Sequence, residues 1–315
     1  MMNDILYLVM PVFNEEELIK ESIGIVNKKL NRLIKAKKIS KNSKIVVVDD
    51  GSNDRSLEIL KGLKNSKLIL IKLSRNCGHQ NAMYAGLMYS KDKADITITI
   101  DADLQDDIEA FDEMIDNYYS GSEIVYGVRN NRDTDTFFKR NTAMFFYKFM
   151  KFLGVEIVSN HADYRLMSRK SLEALSKYEE SNLFIRGLIP RLGFKTSKVY
   201  YKRLERKAGV SKYNLKKMLG LAFEGITSFS IKPIRLIINL GLVLSFFGLL
   251  YLVYIIINYF NGASFVRGWA STIAFICFFG SLQILCIGVI GEYIAKIYLE
   301  TKRRPKYIIE EIIEK

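Results

Sequence analysis

The run Ile96-Thr97-Ile98-Thr99-Ile100 passes directly into Asp101-Ala102-Asp103-Leu104-Gln105-Asp106-Asp107. Alternating β-branched apolar residues read as a strand. Four carboxylates then fall within seven residues at its carboxyl end, where open α/β sheets bind their ligands. Carboxylates packed that closely repel one another unless a cation lies between them. Oxygen-only donors suit Mg2+ or Mn2+, hard ions that commonly arrive with substrate phosphates. The stretch predicts an α/β fold that holds a phosphorylated compound through a divalent metal.

Working outward, strand-like runs recur at 5–10, 44–48, 67–73, 95–100 and 123–126, separated by helical patterns at 15–35, 54–63, 81–89 and 108–119. That alternation predicts a mostly parallel sheet covered by helices. Asp50-Gly51-Ser52-Asn53-Asp54 closes one strand and offers an N-cap to the next helix. The apolar run 5–12 is short, lacks a basic leader and contains Pro11, so it reads as a first strand rather than a signal peptide.

The chain has 315 residues, room for one sizeable α/β domain and something smaller, and its apolar residues are unevenly spread. No charge occurs over the 22 residues 236–257 or the 23 residues 269–291. At about 1.5 Å per helical residue, each reaches across a hydrocarbon layer of about 30 Å. Buried core helices are the alternative, but these rarely run so long without a charge. Lys212, Lys216, Lys217, Lys232 and Arg235 precede the first span. Lys296, Lys302, Arg303, Arg304 and Lys306 follow the second, and the connecting loop carries only Arg267. The positive-inside rule places both termini and the large N-terminal region in the cytoplasm. Tyr251, Tyr254, Tyr259 and Trp269 would form an aromatic belt at the outer boundary.

A net charge of +13 raises nucleic acid as a partner, yet no RNA-binding pattern or helix-turn-helix signal accompanies it. Much of the excess surrounds the apolar spans, so anionic headgroups are the better partner, and a Lys-, Ile- and Asn-rich composition accounts for the rest. Cys77, Cys277 and Cys286 lack metal-type spacing and fit a reduced compartment without disulfides. Phenylalanines at helical spacing over 137–154 read either as core or as an interfacial helix on lipid. The segment 212–233 reads as an interfacial amphipathic helix because it leads into the first span.

Polar clusters follow each early strand: Pro11 to Glu16, Asp49 to Ser52, Ser74 to His79, the acidic run, and Gly127 to Arg129. Each alone is weak, since Asp-x-Asp and Asp-Gly-Ser are common by chance. At successive strand ends of one sheet they build a single crevice. His79 and His161 lack partners at ligand spacing and read as structural or hydrogen-bonding residues. Asp106 and Asp107 read as carboxylates complementing a helix N-terminus.

Pro-Val-Phe-Asn-Glu at 11–15, Val-Asp-Asp-Gly-Ser at 48–52, Asp-Ala-Asp-Leu-Gln at 101–105 and Gly-Val-Ser-Lys-Tyr at 209–213 resemble the family 2 glycosyltransferases of GT-A fold. The resemblance is strongest to the polyprenyl-phosphate group, which includes dolichol-phosphate mannose synthase and the bactoprenol glucosyltransferases, and it extends over nearly the whole chain. It implies a GT-A (Rossmann-like) cytoplasmic domain at 1–211 and an interfacial helix at 212–233. A two-helix transmembrane hairpin at 234–297 and a cytoplasmic tail at 298–315 would follow.

By the same resemblance, Asp101, Asp103 and Gln105 hold the metal. Pro11, Glu15 and one or both of Asp49 and Asp50 serve the nucleoside, while Arg129 and Arg140 accept the lipid phosphate. Arg206, Ser211 and Lys212 lie in a loop closing over donor and acceptor phosphates. His161-Ala162-Asp163-Tyr164-Arg165 resembles a motif usually written Gly-Asp-Phe-Arg, with alanine here in place of glycine. Asp163 is expected to orient Arg165 or the sugar hydroxyls. A phosphate monoester with a second pKa of about 6 is already a dianion near neutrality and needs no general base.

The implied reaction is inverting transfer of a sugar, UDP-glucose first and UDP-GlcNAc second, to polyprenyl phosphate. A separate flippase and a homo-oligomer are the implied partners. A processive polysaccharide synthase of the same fold would carry Gln-x-x-Arg-Trp, whereas the only tryptophan here is Trp269. A non-catalytic nucleotide-binding scaffold is the remaining alternative, and the intact metal-ligand positions argue against it.

Overall fold

A computed structural model describes residues 3–130, 161–180, 185–202, 232–260 and 268–315. The described residues up to 202, together with 304–315, form one compact unit, and those from 232 to 303 form a second.

The first unit is built on an eight-stranded sheet. In chain order its elements are β1 (Leu6–Val12), α1 (Ile19–Lys35), β2 (Lys44–Asp49), α2 (Ser56–Gly62), β3 (Leu68–Leu73), α3 (His79–Ser90), β4 (Ile96–Thr99), α4 (Phe111–Tyr119) and β5 (Ile124–Arg129). β6 (His161–Ser168), α5 (Arg169–Ser176), α6 (Ile185–Leu188), β7 (Thr196–Tyr201) and β8 (Ile309–Glu314) complete it. The spatial order is β7-β5-β6-β4-β1-β2-β3-β8. β1 runs parallel to β2 and β4, β2 to β3, and β5 to β7. β6 lies antiparallel between β4 and β5, and β8 antiparallel on β3.

The five early strands and their helices lie within a few residues of the positions that periodicity predicts, because β1 to β4 are almost wholly buried and predominantly apolar. Three strands escape that reading. β6 carries Asp163 and Arg165, β7 alternates along one edge of the sheet, and β8 is Ile-Glu-Glu-Ile-Ile-Glu. Charged residues hide a strand whose cross-strand partners are remote in sequence.

The core lies between sheet and helices. Leu6, Leu8 and Met10 of β1 cluster with Ile19, Ile23, Val26 and Leu30 of α1. α3 approaches β1 and β2 so closely that a Cβ at Gly86 would stand 2.4 Å from Val9 Cγ1. This tight seam fixes the start of α3, and with it His79, relative to the sheet.

The second unit consists of α7 (Lys232–Phe260) and α8 (Trp269–Thr301). At about 1.5 Å per residue these are roughly 44 and 50 Å long. Large apolar side chains such as Phe246, Phe247, Ile276, Ile284 and Ile287 are more than half exposed. Helices that expose such side chains need an apolar solvent. Within α8, Phe278–Thr301 is long and apolar enough to cross a membrane. This stretch starts later than the expected span at 269–291. The expected interfacial helix at 212–233 lies almost wholly outside the described residues.

Candidate active site

The loops after β1, β2, β3 and β4 meet around a cavity of about 250 Å3 lined by Pro11, Glu15, Asp50, His79, Asp101 and Asp103, among others. This is the carboxyl-end crevice expected from the sheet. Its walls are fastened to one another through the backbone. Asp50 N–H donates to Val12 O at 2.9 Å, joining the ends of β1 and β2. The Asp50 carboxylate accepts from Cys77 N at 2.7 Å and Gly78 N at 2.9 Å, drawing in the loop before α3. Burial pushes the Asp50 carboxyl up despite those two amides. Gly51 has φ +69°, and a Cβ there would lie 2.7 Å from Arg75 C and Asn76 N, so only glycine lets the two loops meet.

The acidic loop is held as firmly. Ser22 of α1 donates its hydroxyl to Ala102 O at 2.7 Å. Lys29, 1% exposed, pairs at 2.6 Å with both Glu109 and Asp112. Leu104 takes a left-handed φ of 46°, unusual for a branched side chain and a local strain that the surrounding contacts impose. Asp101 and Asp103 line the cavity. Burial first, then the neighbouring carboxylates, push Asp101 up to about 6 even though His79 opposes this. Asp101 and Asp103 together offer a hard-oxygen seat for a divalent cation whose remaining ligands would be water and substrate phosphates. The donor set fits Mg2+ or Mn2+.

Several expected residues fall elsewhere. Gln105 is buried, at 6% exposure, and is not part of the cavity lining; its N–H donates to Asp103 Oδ1 at 3.3 Å. Asp49 lies wholly buried at the end of β2, accepting from Ser52 N at 3.3 Å, so that of the two adjacent aspartates Asp50 alone reaches the cavity lining. Arg129, expected on the acceptor phosphate, engages Asp106 at 2.9 Å and the Tyr201 hydroxyl at 3.2 Å. That also corrects the reading of Asp106. Rather than complementing a helix N-terminus, it is a 2%-exposed anion shared by Arg129 and Tyr201. Asp107 does take the helix-start position, accepting from Glu109 N at 2.9 Å. Arg140, Arg206, Ser211 and Lys212 lie outside the described residues.

β6 contributes a buried charged group next to His79. Asp163 and Arg165, two residues apart, share one face of the strand, and Arg165 stands in register with Thr99 and Tyr126. Thr99 donates its hydroxyl to the Asp163 carbonyl. The Asp163 carboxylate receives Arg165 Nη2 at 2.5 Å and Arg186 through Nε at 3.0 Å and Nη2 at 2.7 Å. His79 Nε2 stands 3.6 Å from Asp163 Oδ2 and 3.5 Å from Asp101 Oδ1, bridging the two acidic groups. Burial disfavours the Asp163 anion, but His79, Arg165 and Arg186 outweigh it and hold the carboxyl well below its ordinary range. Burial likewise opposes the His79 cation, and the hydrogen bond to Asp163 with the charges of Asp101 and Asp163 raises it overall.

Residue pattern does not single out His79 and Arg186 as site residues. His79 stands in a loop already placed at a strand end, so its position was available. Arg186, on the four-residue helix α6, gives no local signal at all.

Residues 7–176 match the glycosyl transferase family 2, and residues 232–297 match the GtrB C-terminal hairpin. The chain is 49% identical over 308 residues to the uncharacterized glycosyltransferase YkoT of Bacillus subtilis (strain 168), covering 97% of this chain and 91% of that protein. It is 41% identical over 308 residues to the prophage bactoprenol glucosyl transferase homolog of Escherichia coli (strain K12), covering 97% and 98%. Identity to the bactoprenol glucosyl transferase of Shigella phage SfX is 40% over 306 residues, covering 96% and 98%. With strand-end loops gathered on a GT-A sheet and an apolar hairpin as a second unit, the chain belongs to glycosyl transferase family 2.

Proposed function

We propose that the protein transfers one sugar from a nucleotide sugar to polyprenyl phosphate at the cytoplasmic face of the membrane, with inversion at the anomeric carbon. UDP-glucose is the first choice of donor and UDP-N-acetylglucosamine the second. The observation that carries this reading is the state of Asp163. A carboxylate clamped by two arginines and a histidine is too weak a base to take a proton from a sugar hydroxyl. The acceptor suited to such a site brings its own negative charge, as a phosphate monoester does. Relatives named bactoprenol glucosyl transferase support a lipid-borne acceptor.

In this reading an acceptor phosphate oxygen attacks the anomeric carbon in line. The carbon–oxygen bond to the nucleotide diphosphate breaks, its electron pair leaves with the diphosphate, and an α-linked donor gives a β-linked product. A divalent cation held by Asp101 and Asp103 would offset the charge on that departing diphosphate. Pro11, Glu15 and Asp50 would shape the nucleoside end of the cavity. Asp163, fixed by buried Arg165, would hold Arg186 and His79 beside the reacting groups, without moving a proton. Arg140, Arg206, Ser211 and Lys212 are proposed for the acceptor phosphate, where two phosphate oxygens can meet one planar arginine fork. Arg129, engaged with Asp106, would act by fixing the acidic loop.

Two crossings by the hairpin fit the connectivity. β8 follows α8 in sequence and pairs with β3, so the chain belongs to the sheet both before and after the hairpin, as two crossings require. The basic flanks support a cytoplasmic location for the catalytic unit. A glycolipid made there would be flipped for use in cell-envelope glycosylation.

The test is incubation of membranes containing the protein with labelled UDP-glucose, UDP-N-acetylglucosamine and other nucleotide sugars, with undecaprenyl phosphate and Mg2+ or Mn2+. Label entering the organic phase only when the lipid is added is the expected outcome. No labelled lipid from any donor overturns the proposal, and a long polymer would favour a processive synthase.

A further inference from the structure

The chain after α8 does not trail away. Residues 304–315 complete the sheet, and their contacts converge on the loop between β3 and α3 that forms one wall of the cavity. Ser74 N–H donates to Ile308 O at 3.0 Å, and the Ile308 main chain also meets the Cys77 side chain. Cys77 and Gly78 are the residues whose amides bind Asp50, and the next residue, His79, bridges Asp101 and Asp163. On α3 itself, Tyr84 receives the Tyr307 ring edge-on at 6.3 Å and Lys306 Nζ at 4.7 Å. Lys306 also donates to Tyr178 O at 3.1 Å.

β8 is held there by charge as well as by its ladder. Glu310 pairs with Lys72 at 2.5 Å, and Glu311 with Lys61 at 2.6 Å. Glu314 accepts from the Tyr89 hydroxyl at 2.5 Å and meets Lys93 at 3.3 Å and Lys44 at 3.5 Å. Lys315 Nζ donates to Leu60 O, Lys61 O and Leu63 O, occupying carbonyls at the end of α2.

We infer that residues 304–315 are a positioning element for the nucleotide-sugar end of the active site, acting through the 74–78 loop and the start of α3. The inference rests on the proposed reading that this cavity takes a nucleotide sugar. The tail itself touches no substrate. Its contribution is to keep the Cys77 and Gly78 amides on Asp50 and His79 between the two acidic groups. Losing that order would weaken donor binding before it slowed turnover.

The test uses the full-length protein. In Glu310→Lys/Glu311→Lys/Glu314→Lys, β8 meets Lys44, Lys61, Lys72 and Lys93 with like charge; Lys306→Ala/Tyr307→Ala removes the hold on α3 and leaves the strand. The KM for nucleotide sugar should rise roughly five- to tenfold in either variant, the size of about one net hydrogen bond, with kcat changed less than twofold. Amides 74–78 should exchange faster, while those of β1 and β4 stay protected. A synthetic peptide of residues 304–315 should restore KM in the charge-reversed protein. Unchanged KM and unchanged exchange at 74–78, with β8 visibly released, overturn the inference. So does faster exchange throughout the sheet, which marks a tail that only stabilises the fold. If the unaltered protein transfers no sugar, the functional reading fails instead, and the exchange arm still decides whether the tail orders the loop.

Discussion

Replacing Asp163 by Asn removes one charge from the most tightly tied group in the site and preserves its shape. In the native protein the Asp163 and Arg165 side chains are 2% and 0% exposed and in direct contact. Among the described residues, Arg165 Nε and Nη1 have no hydrogen-bond partner, so Asp163 is the carboxylate bonded to this buried cation. Breaking a buried pair by removing one member costs about 3–5 kcal/mol, because the other charge stays desolvated. Arg186, with 30% of its side chain exposed, recovers hydration and adds little. At about 2–4 °C per kcal/mol for a domain of this class, Asp163→Asn should lower the melting temperature of the detergent-solubilised protein by roughly 6–20 °C.

Removing Arg165 as well, in Asp163→Asn/Arg165→Met, should restore at least about 2 kcal/mol relative to the sum of the single changes, since no unpaired ion then remains. Scanning calorimetry or fluorescence-detected unfolding of the four proteins measures this coupling. An Asp163→Asn protein within about 0.5 kcal/mol of the parent, or single effects that simply add, would refute the account of Asp163 as counter-ion. The pH–rate profile gives a second check. An orienting carboxylate leaves the profile shape unchanged in the surviving activity, whereas loss of the acid-side limb would identify a proton acceptor.

Asp101→Asn should abolish labelled-lipid formation and leave the melting temperature within a few degrees, because burial and like-charged neighbours already disfavour its anion; near-normal turnover would remove the metal assignment. Gly51→Ala places a methyl 2.7 Å from the Arg75–Asn76 backbone at φ +69°, and should cost more than about 1 kcal/mol and weaken nucleotide binding in equilibrium titration. Lys29→Met, by contrast, should change stability by less than about 1 kcal/mol, since Glu109 and Asp112 are 57% and 41% exposed and rehydrate when the buried ammonium is gone. Lys29 holds the Glu109 carboxyl below its usual range; at Asp112 burial pushes upward first, and Lys29 and Lys38 together overcome it. Their stabilisation is present above the unfolded value near about 4 and is lost as pH falls through the depressed folded values. Acid unfolding curves should therefore be flatter in Lys29→Met.

Much of the crevice was legible in residue order because each wall is local. A buried β-branched strand followed by a polar loop places Pro11, Glu15, Asp50, Asp101 and Asp103 at carboxyl ends, and one topological rule brings those ends together. The apolar hairpin is legible for a similar reason, since a long stretch without charge is a property of the stretch itself. Gln105 and Arg129 show where local pattern stops. Whether Gln105 faces the cavity depends on one left-handed residue, Leu104, and Arg129 is claimed by an aspartate whose burial comes from β7.

Sequence by itself determined the α/β alternation, the carboxylate-rich crevice and the apolar hairpin, because periodicity and runs of one character act over neighbouring residues. Tertiary structure alone decided which charges neutralise which. Arg186 reaches Asp163 across 23 positions, Tyr201 reaches Asp106 across 95, and Glu310 reaches Lys72 across 238. Such pairings arise from antiparallel insertion of β6, the edge position of β7 and the return of β8. Electrostatic energy depends on distance and burial in the folded state, which spacing along the chain does not encode.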